Sequence, residues 1–351
     1  MIPFNYMICS NQMGRGRISK VYKIKKINPP HNILIAKIYD QSRINQYENE
    51  KNILSQISDL NDYLIRINNE EVILEHIDDF GVNPRILAFD YLAHGKLIDY
   101  MEQFPNLNAL KENHVKLLCY KLLLGLKKCQ EKNISHNKIE IKNIMFDKEF
   151  NPVIIHFSEA SINTNKNFNK DFYGLGIVLA KLITSGRFKT ISFDNKTNKY
   201  YIRINNANLN PMQKIYFEEM EFWKYLDLLY RIKISEKFIN FFDILMKAKK
   251  ALNINDLLNH EWLLELEDNL NKLEIEFRKT IKIIYDTFLD SQKIVRYPID
   301  ISKILLIKNQ KKELSIISEL IDNKKQEKDE GINLSNFNQK KEKKLENKKY
   351  S

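Results

Sequence analysis

The chain has 351 residues with 43% hydrophobic content, enough to bury a sizeable core in one large domain or two small ones. No run approaches the ~18 apolar residues of a membrane span, and the opening MIPFNYMICS lacks the basic-then-apolar order of a signal peptide. Its 56 basic and 45 acidic residues leave a net charge of +11, which reads as a solvated lysine-rich surface unless the basic side chains gather on one face to meet nucleic acid, acidic lipid or an acidic protein.

Residues 5 to 40 alternate as strands do. A turn with Gly14 and Gly16 precedes Val21-Tyr22-Lys23-Ile24, and Ile33-Leu34-Ile35-Ala36-Lys37-Ile38 follows. Alone, GRGRIS signals only a turn that needs positive φ. Ser42 to Ile57 has helical spacing and carries Glu50 and Leu54. Two apolar strands are predicted next, Val72 to Ile77 and Arg85 to Tyr91, the second inside ILAFDYLAHGKLIDYM. From Leu110 to Lys132 the apolar positions Val115, Leu118, Leu122, Leu126 and Cys129 step by three and four, which predicts a buried helix. Cys9, Cys119 and Cys129 form no CxxC or metal spacing, so reduced buried thiols and a cytosolic setting are expected.

The stretch Ile134 to Phe157, ISHNKIEIKNIMFDKEFNPVIIHF, reads as a strand-turn-strand unit. Ile144-Met145 and Val153-Ile154-Ile155 flank a turn built from Asp147, Asn151 and Pro152. Asp171 opens the run DFYGLGIV, and Asn255 to Leu263 reads NDLLNHEWL. Beyond it, Leu273, Phe277, Ile281, Ile284 and Phe288 form one helical stripe and Ile301 to Ile321 another, with a break at Tyr297-Pro298. The stripes predict helices packed on the parent domain. From Asn323 the composition turns to Lys, Glu, Asn and Gln, as in a disordered tail.

In unbroken order from about residue 8 to 265, these motifs resemble the protein kinases, with the strand and hinge closest to the calmodulin-dependent and AMP-activated type. The resemblance implies an α+β, bilobal fold: a small β-rich lobe over 1–92 with one helix, and a larger helical lobe over 93–265. A helical extension (266–322) and a Lys-rich tail (323–351) follow. It places Gly14 and Gly16 over the phosphates, Val21, Ala36 and Met145 around adenine, Lys37 on the phosphates with Glu50 as its partner, and the backbone of Asp90 to Leu92 at the hinge. Phe89 takes the gatekeeper position, and Lys96 replaces the acidic residue that usually meets ribose. Leu54, His136 and Phe157 match the family's regulatory stack. Asp171 matches the aspartate that ties down the catalytic loop.

The family's catalytic residues are where the sequence departs. The frame H-R-D-x-K-x-x-N…D-F-G holds His136, Asn137, Lys138, Glu140 and Asn143, then His156-Phe157-Ser158. Lys138 stands where a carboxylate should accept the proton of the attacking hydroxyl, and an ammonium has donors only. Glu140 replaces the phosphate-binding lysine. His156 replaces the Mg²⁺ carboxylate, and imidazole suits that hard ion poorly. Only 14 residues lie between His156 and Asp171, without the A-P-E of the peptide platform, and Ala251 falls where its arginine partner belongs. The expectation is a pseudokinase that acts as a binding or scaffold protein, with no catalytic residues and no metal. ATP or ADP would be held without Mg²⁺, and a protein is expected as partner rather than nucleic acid. One alternative is a divergent Ser/Thr kinase that recruits another carboxylate, Asp147 or Glu159. Another is an anion-binding module acting through the basic tail.

Overall fold

A computed structural model describes residues 5–9, 13–15, 19–57, 62–74, 84–99, 110–163, 168–184, 191–204, 213–217, 222–224, 234–266 and 269–294. Gly16, the end of the strand expected over Val72–Ile77, the stripe Ile301–Ile321, the Tyr297-Pro298 break and the tail from 323 lie outside them. The chain divides into two compact units, Met1–Phe288 and Leu289–Ser351.

The N-terminal part of the first unit is an antiparallel sheet built from β1 (Tyr6–Ile8), β2 (Gly14–Arg15), β3 (Ser19–Lys26), β4 (Ile33–Tyr39), β5 (Ile67–Asn68) and β6 (Arg85–Asp90). The strands lie in the order β1-β3-β4-β6-β5, with β2 also paired to β3. Alternation along each strand gives the sheet two faces. Register puts Val21 opposite Lys37 and Lys37 opposite Leu87, while Ile35 pairs Phe89. These residues share the face that carries Lys37. Tyr6, Ile24, Leu34, Ala36, Ile38, Leu74 and Ala88 form a separate apolar cluster on the opposite face.

The helix α1 (Ile44–Ile57) follows a short 3₁₀ turn, as its spacing predicts, and buries Tyr47, Glu50, Ile53, Leu54 and Ile57. The described part of Val72–Ile77 is not a strand. Leu74 makes one isolated bridge to Tyr6, and the backbone around Ile73 is held instead by Asn5, whose Oδ1 accepts from Ile73 N–H at 2.8 Å. That side chain supplies what a neighbouring strand would have supplied.

The C-terminal part is mostly helical. The long α2 (Glu112–Glu131) is buried on nearly all sides, including Val115, Leu118, Leu122, Leu126 and Cys129. After β7 (Ile134–Ser135) comes a hairpin of β8 (Ile144–Phe146) and β9 (Pro152–Ile154). Its turn is organised by the Asp147 carboxylate, which accepts from the backbone N–H groups of Glu149 and Asn151 and from the Asn151 amide. The short β10 (Ser161–Ile162) pairs back onto β7. Next, α3 (Asn169–Ile183) runs so close to the preceding loop that a Cβ on Gly174 would lie 2.6 Å from the Ile139 carbonyl oxygen. Only glycine fits there.

Three further strands, β11 (Ile191–Asp194), β12 (Lys199–Ile204) and β13 (Gln213–Phe217), make a small antiparallel sheet. Helices α4 (Glu236–Lys247), α5 (Ile254–Leu258) and α6 (Glu261–Leu264) complete the lobe. Trp262 is fully buried and donates its ring N–H to Glu112 at 2.8 Å. The last described helix, α7 (Leu270–Ile294), buries Phe277, Ile281 and Ile284 in the main core. Cys119 and Cys129 are buried thiols; Cys9 is exposed, because β1 lies at the sheet edge.

Candidate functional site

The side chains of interest gather where β4, α1 and the loops between β7 and α3 meet. On β4, Lys37 is 7% exposed and its ammonium reaches both oxygens of Glu50, at 2.9 and 2.6 Å. Glu50 is buried on the inner face of α1 and also accepts the Tyr39 hydroxyl. One residue before it, Asn49 donates to the Ala160 carbonyl at 3.1 Å, tying α1 to the segment that follows Phe157. Leu54, His136 and Phe157 are all fully buried. The His136 and Phe157 rings meet edge to face with centroids 4.7 Å apart.

The loop after β7 is held by one carboxylate. Asp171 accepts the N–H of His136 at 2.8 Å and of Asn137 at 2.7 Å. Burial pushes its acid up to about 6, with the two amide donors pulling the other way. His136 lies between Ile155 O, 3.0 Å from Nε2, and the Lys138 N–H, 3.2 Å from Nδ1. These partners assign the proton to Nε2. Burial lowers the pKa of this ring to about 4, so it is neutral at pH 7. Asn137 has φ 64° and sends its amide to Glu159 O at 3.0 Å and Ser161 Oγ at 2.9 Å.

Lys138, Glu140 and His156, which depart from the kinase pattern, each have a local partner. Lys138 pairs with Glu159, whose acid is held below the usual carboxylate range by that hydrogen bond. Glu140 pairs with Lys142 at 2.5 Å, both well exposed. Asn143 is buried and donates to the Lys138 carbonyl at 2.9 Å. His156 sits in the left-handed region at φ 73°, with Nε2 3.0 Å from the Ser158 hydroxyl. Burial, then the nearby Lys37 charge, lowers its pKa to about 4. His156 is therefore neutral and adds no cation to the site near neutral pH. Among the described residues no three His, Cys, Asp or Glu side chains converge as a metal site, and the donors at the expected Mg²⁺ position are one amide and one neutral imidazole. Those donors do not fit a hard divalent ion.

Around the expected adenine space the structure keeps some residues and moves others. Val21 shares the Lys37 face, and Met145 on β8 packs at the edge of the main core. Ala36 does not join them. It is fully buried on the opposite face, in the cluster with Ile24 and Ile38. Neighbours on a strand point to opposite sides, so the residue that shares the face of Lys37 is Ile35, two positions back. Gly14 lies on β2, opposite Val21. The Asp90 N–H goes to Arg66 O at 3.3 Å. Asp90 and Leu92 line a cavity of about 550 Å³ together with Asp62, Arg66, Asp147 and Glu149. Asp147 is occupied in the hairpin turn and lines that cavity; of the two alternative carboxylates, Glu159 is the one paired with Lys138. Sequence reasoning left out Ile35 and Tyr39, although period-two spacing from Lys37 finds both.

Residues 8–170 match the model of the protein kinase domain. A probable serine/threonine-protein kinase of Dictyostelium discoideum is 24% identical over 294 residues, covering 72% of this chain and 17% of that protein. A NUAK family SNF1-like kinase of Rattus norvegicus is 22% identical over 179 residues, or 50% of this chain and 26% of the relative. An SNF1-related protein kinase catalytic subunit alpha of Arabidopsis thaliana is 24% identical over 187 residues, or 52% and 35%. The chain thus spans 17 to 35% of the length of these curated relatives.

Proposed function

We propose, for a chain that belongs to the protein kinase superfamily through residues 8–170, that this member is a cytoplasmic pseudokinase which binds protein partners and does not transfer phosphate. The observation that carries the reading is the ion pair of Lys138 with Glu159. Where phosphoryl transfer needs a free carboxylate to orient a hydroxyl and accept its proton, this chain has an ammonium engaged by its own acid. His156 at the metal position, neutral above pH 5, supports the same conclusion.

The fold around the missing chemistry is assembled. The Lys37–Glu50 pair is formed, the Leu54, His136 and Phe157 side chains are buried, and Asp171 caps the loop. A scaffold that presents a fixed shape needs these packing contacts and none of the catalytic ones. ATP or ADP enters the proposal as a ligand held by Lys37 and the apolar face of Val21, Ile35 and Met145, without Mg²⁺. Lys138 and Lys37 already face carboxylates, so this site is a weak one.

A second reading has one observation in its favour. Glu159 is a carboxylate beside the position where the family's base stands, and it stays ionised. In a divergent kinase it would orient the substrate hydroxyl. Incubation of purified protein with γ-labelled ATP and generic substrates separates the two. No transfer above that of Lys37→Met is expected. Transfer lost in both Lys37→Met and Glu159→Gln would establish the second reading.

A further inference from the structure

The face of β4 that presents Lys37 presents a second donor two residues further on. Tyr39 is fully buried, with its ring edge-on to Tyr47 of α1 at 5.8 Å and 72°. Its hydroxyl donates to Oε2 of Glu50, the oxygen that Lys37 approaches at 2.6 Å. The Lys37 ammonium lies 5.2 Å from the centre of the Tyr39 ring, near enough for a cation–π contact. One buried carboxylate on α1 is thus held by two side chains of one strand, a charged one and a neutral one.

That difference in charge has a consequence. A buried carboxylate stripped of its last partner costs several kcal/mol, so with Lys37 alone, α1 would leave whenever the lysine turned away. We propose that Tyr39 is a positioning residue which keeps Glu50, and with it α1, docked on the sheet without help from Lys37. The phenol supplies a hydrogen bond but no charge. Lys37 is then free to face an anion in the cleft while Glu50 stays partnered. The Asn49–Ala160 contact holds the same helix to the segment that follows Phe157. The statement about Lys37 and an anion rests on the reading of the cleft given above; the statement about α1 does not.

Hydrogen exchange of the full chain, read over residues 44–57 with α2 as the internal control, tests this. Lys37→Met and Glu50→Gln remove the ion pair in different ways. The second keeps an amide oxygen for the Tyr39 hydroxyl. In both variants α1 is expected to exchange within about threefold of wild type. Adding Tyr39→Phe to Lys37→Met, which leaves the Glu50 carboxylate with neither donor, should speed its exchange at least tenfold, with α2 unchanged. Tyr39→Phe with Lys148→Met, an exposed lysine remote from Glu50, serves as the matched control and should behave as wild type. A Lys37→Met/Tyr39→Phe double variant that fails to fold while its two singles and this control fold supports the proposal, since that combination alone removes both donors to Glu50. Release of α1 in Lys37→Met and Glu50→Gln with Tyr39 intact would overturn it. So would a Tyr39→Phe that adds nothing in the Lys37→Met background. No readout involves nucleotide or phosphate transfer, so failure of the pseudokinase reading leaves the result interpretable.

Discussion

At the residue scale the site is governed by burial more than by charge. His136 and His156 are both lowered to about 4 from an ordinary value near 6.5. A histidine kept neutral in the fold lets the unfolded chain take the proton first. Its contribution is therefore complete above pH 6.5 and is lost as pH falls toward 4. Each ring carries on the order of 2–3 kcal/mol across that window. Asp171, raised to about 6, acts the other way, gaining relative stability as pH falls from 6 toward 4. Comparison of variants isolates one group at a time. Asparagine tolerates the left-handed backbone of His156, so His156→Asn should fold and show a shallower fall in melting temperature between pH 6.5 and 4 than wild type. An unchanged slope would place His156 outside the group of buried neutral rings. Asp171→Ala removes the acceptor for two buried amides and should cost ~2–4 kcal/mol in denaturant unfolding. Lys138→Ala breaks a partly exposed pair, worth ~0–1 kcal/mol. Asp171 was legible in the sequence because it sits in a fixed frame. Ala36 lies on the other face because neighbours on a strand alternate, which the order of motifs alone does not show.

At the element scale, α7 shows what periodicity does and does not tell. The spacing of Leu273, Phe277, Ile281, Ile284 and Phe288 announces an apolar face, but a stripe does not name what it covers. In the fold Phe277 meets Phe146 of β8 at 6.2 Å and His114 of α2 at 5.9 Å. Lys121, nearly buried on α2, reaches Glu274 at 2.9 Å, and the Tyr285 hydroxyl lies 3.3 Å from the Ala93 carbonyl. Three separate elements thus lean on this helix. Phe277→Ala should destabilise the protein by ~3–5 kcal/mol, since it opens a cavity among large side chains; a loss under 1 kcal/mol by chemical denaturation would mean that α7 is only loosely attached. The sheet of β11, β12 and β13 escaped sequence reasoning altogether. KYYIRI alternates, and the turn before it ends at Asn198 with φ 55°, so the hairpin signal was present. No motif of the kinase frame lies there to draw attention to it.

At the scale of the whole molecule, the order of weak motifs was more informative than any one of them. Glycine turn, strand lysine, helix glutamate, loop histidine and α3 aspartate each have ordinary explanations; their succession does not. It gave the order of a β-rich part and a helical part, the pairing of Lys37 with Glu50 and the place of Asp171, but not Tyr39. Partners are a different matter, because they are selected by surfaces whose assembly depends on the fold, and the +11 charge says nothing about where lysines gather. The relatives are named as kinases, and the departures from the kinase frame that bear on metal and phosphate lie at Lys138, Glu140 and His156. If those side chains have removed the metal, nucleotide binding must show it. Calorimetric titration of ATP into the protein, once in EDTA and once in Mg²⁺, measures this most directly. The account predicts weak binding of equal strength in both, abolished by Lys37→Ala and unchanged between pH 6 and 8. Binding that appears only with Mg²⁺ would contradict it.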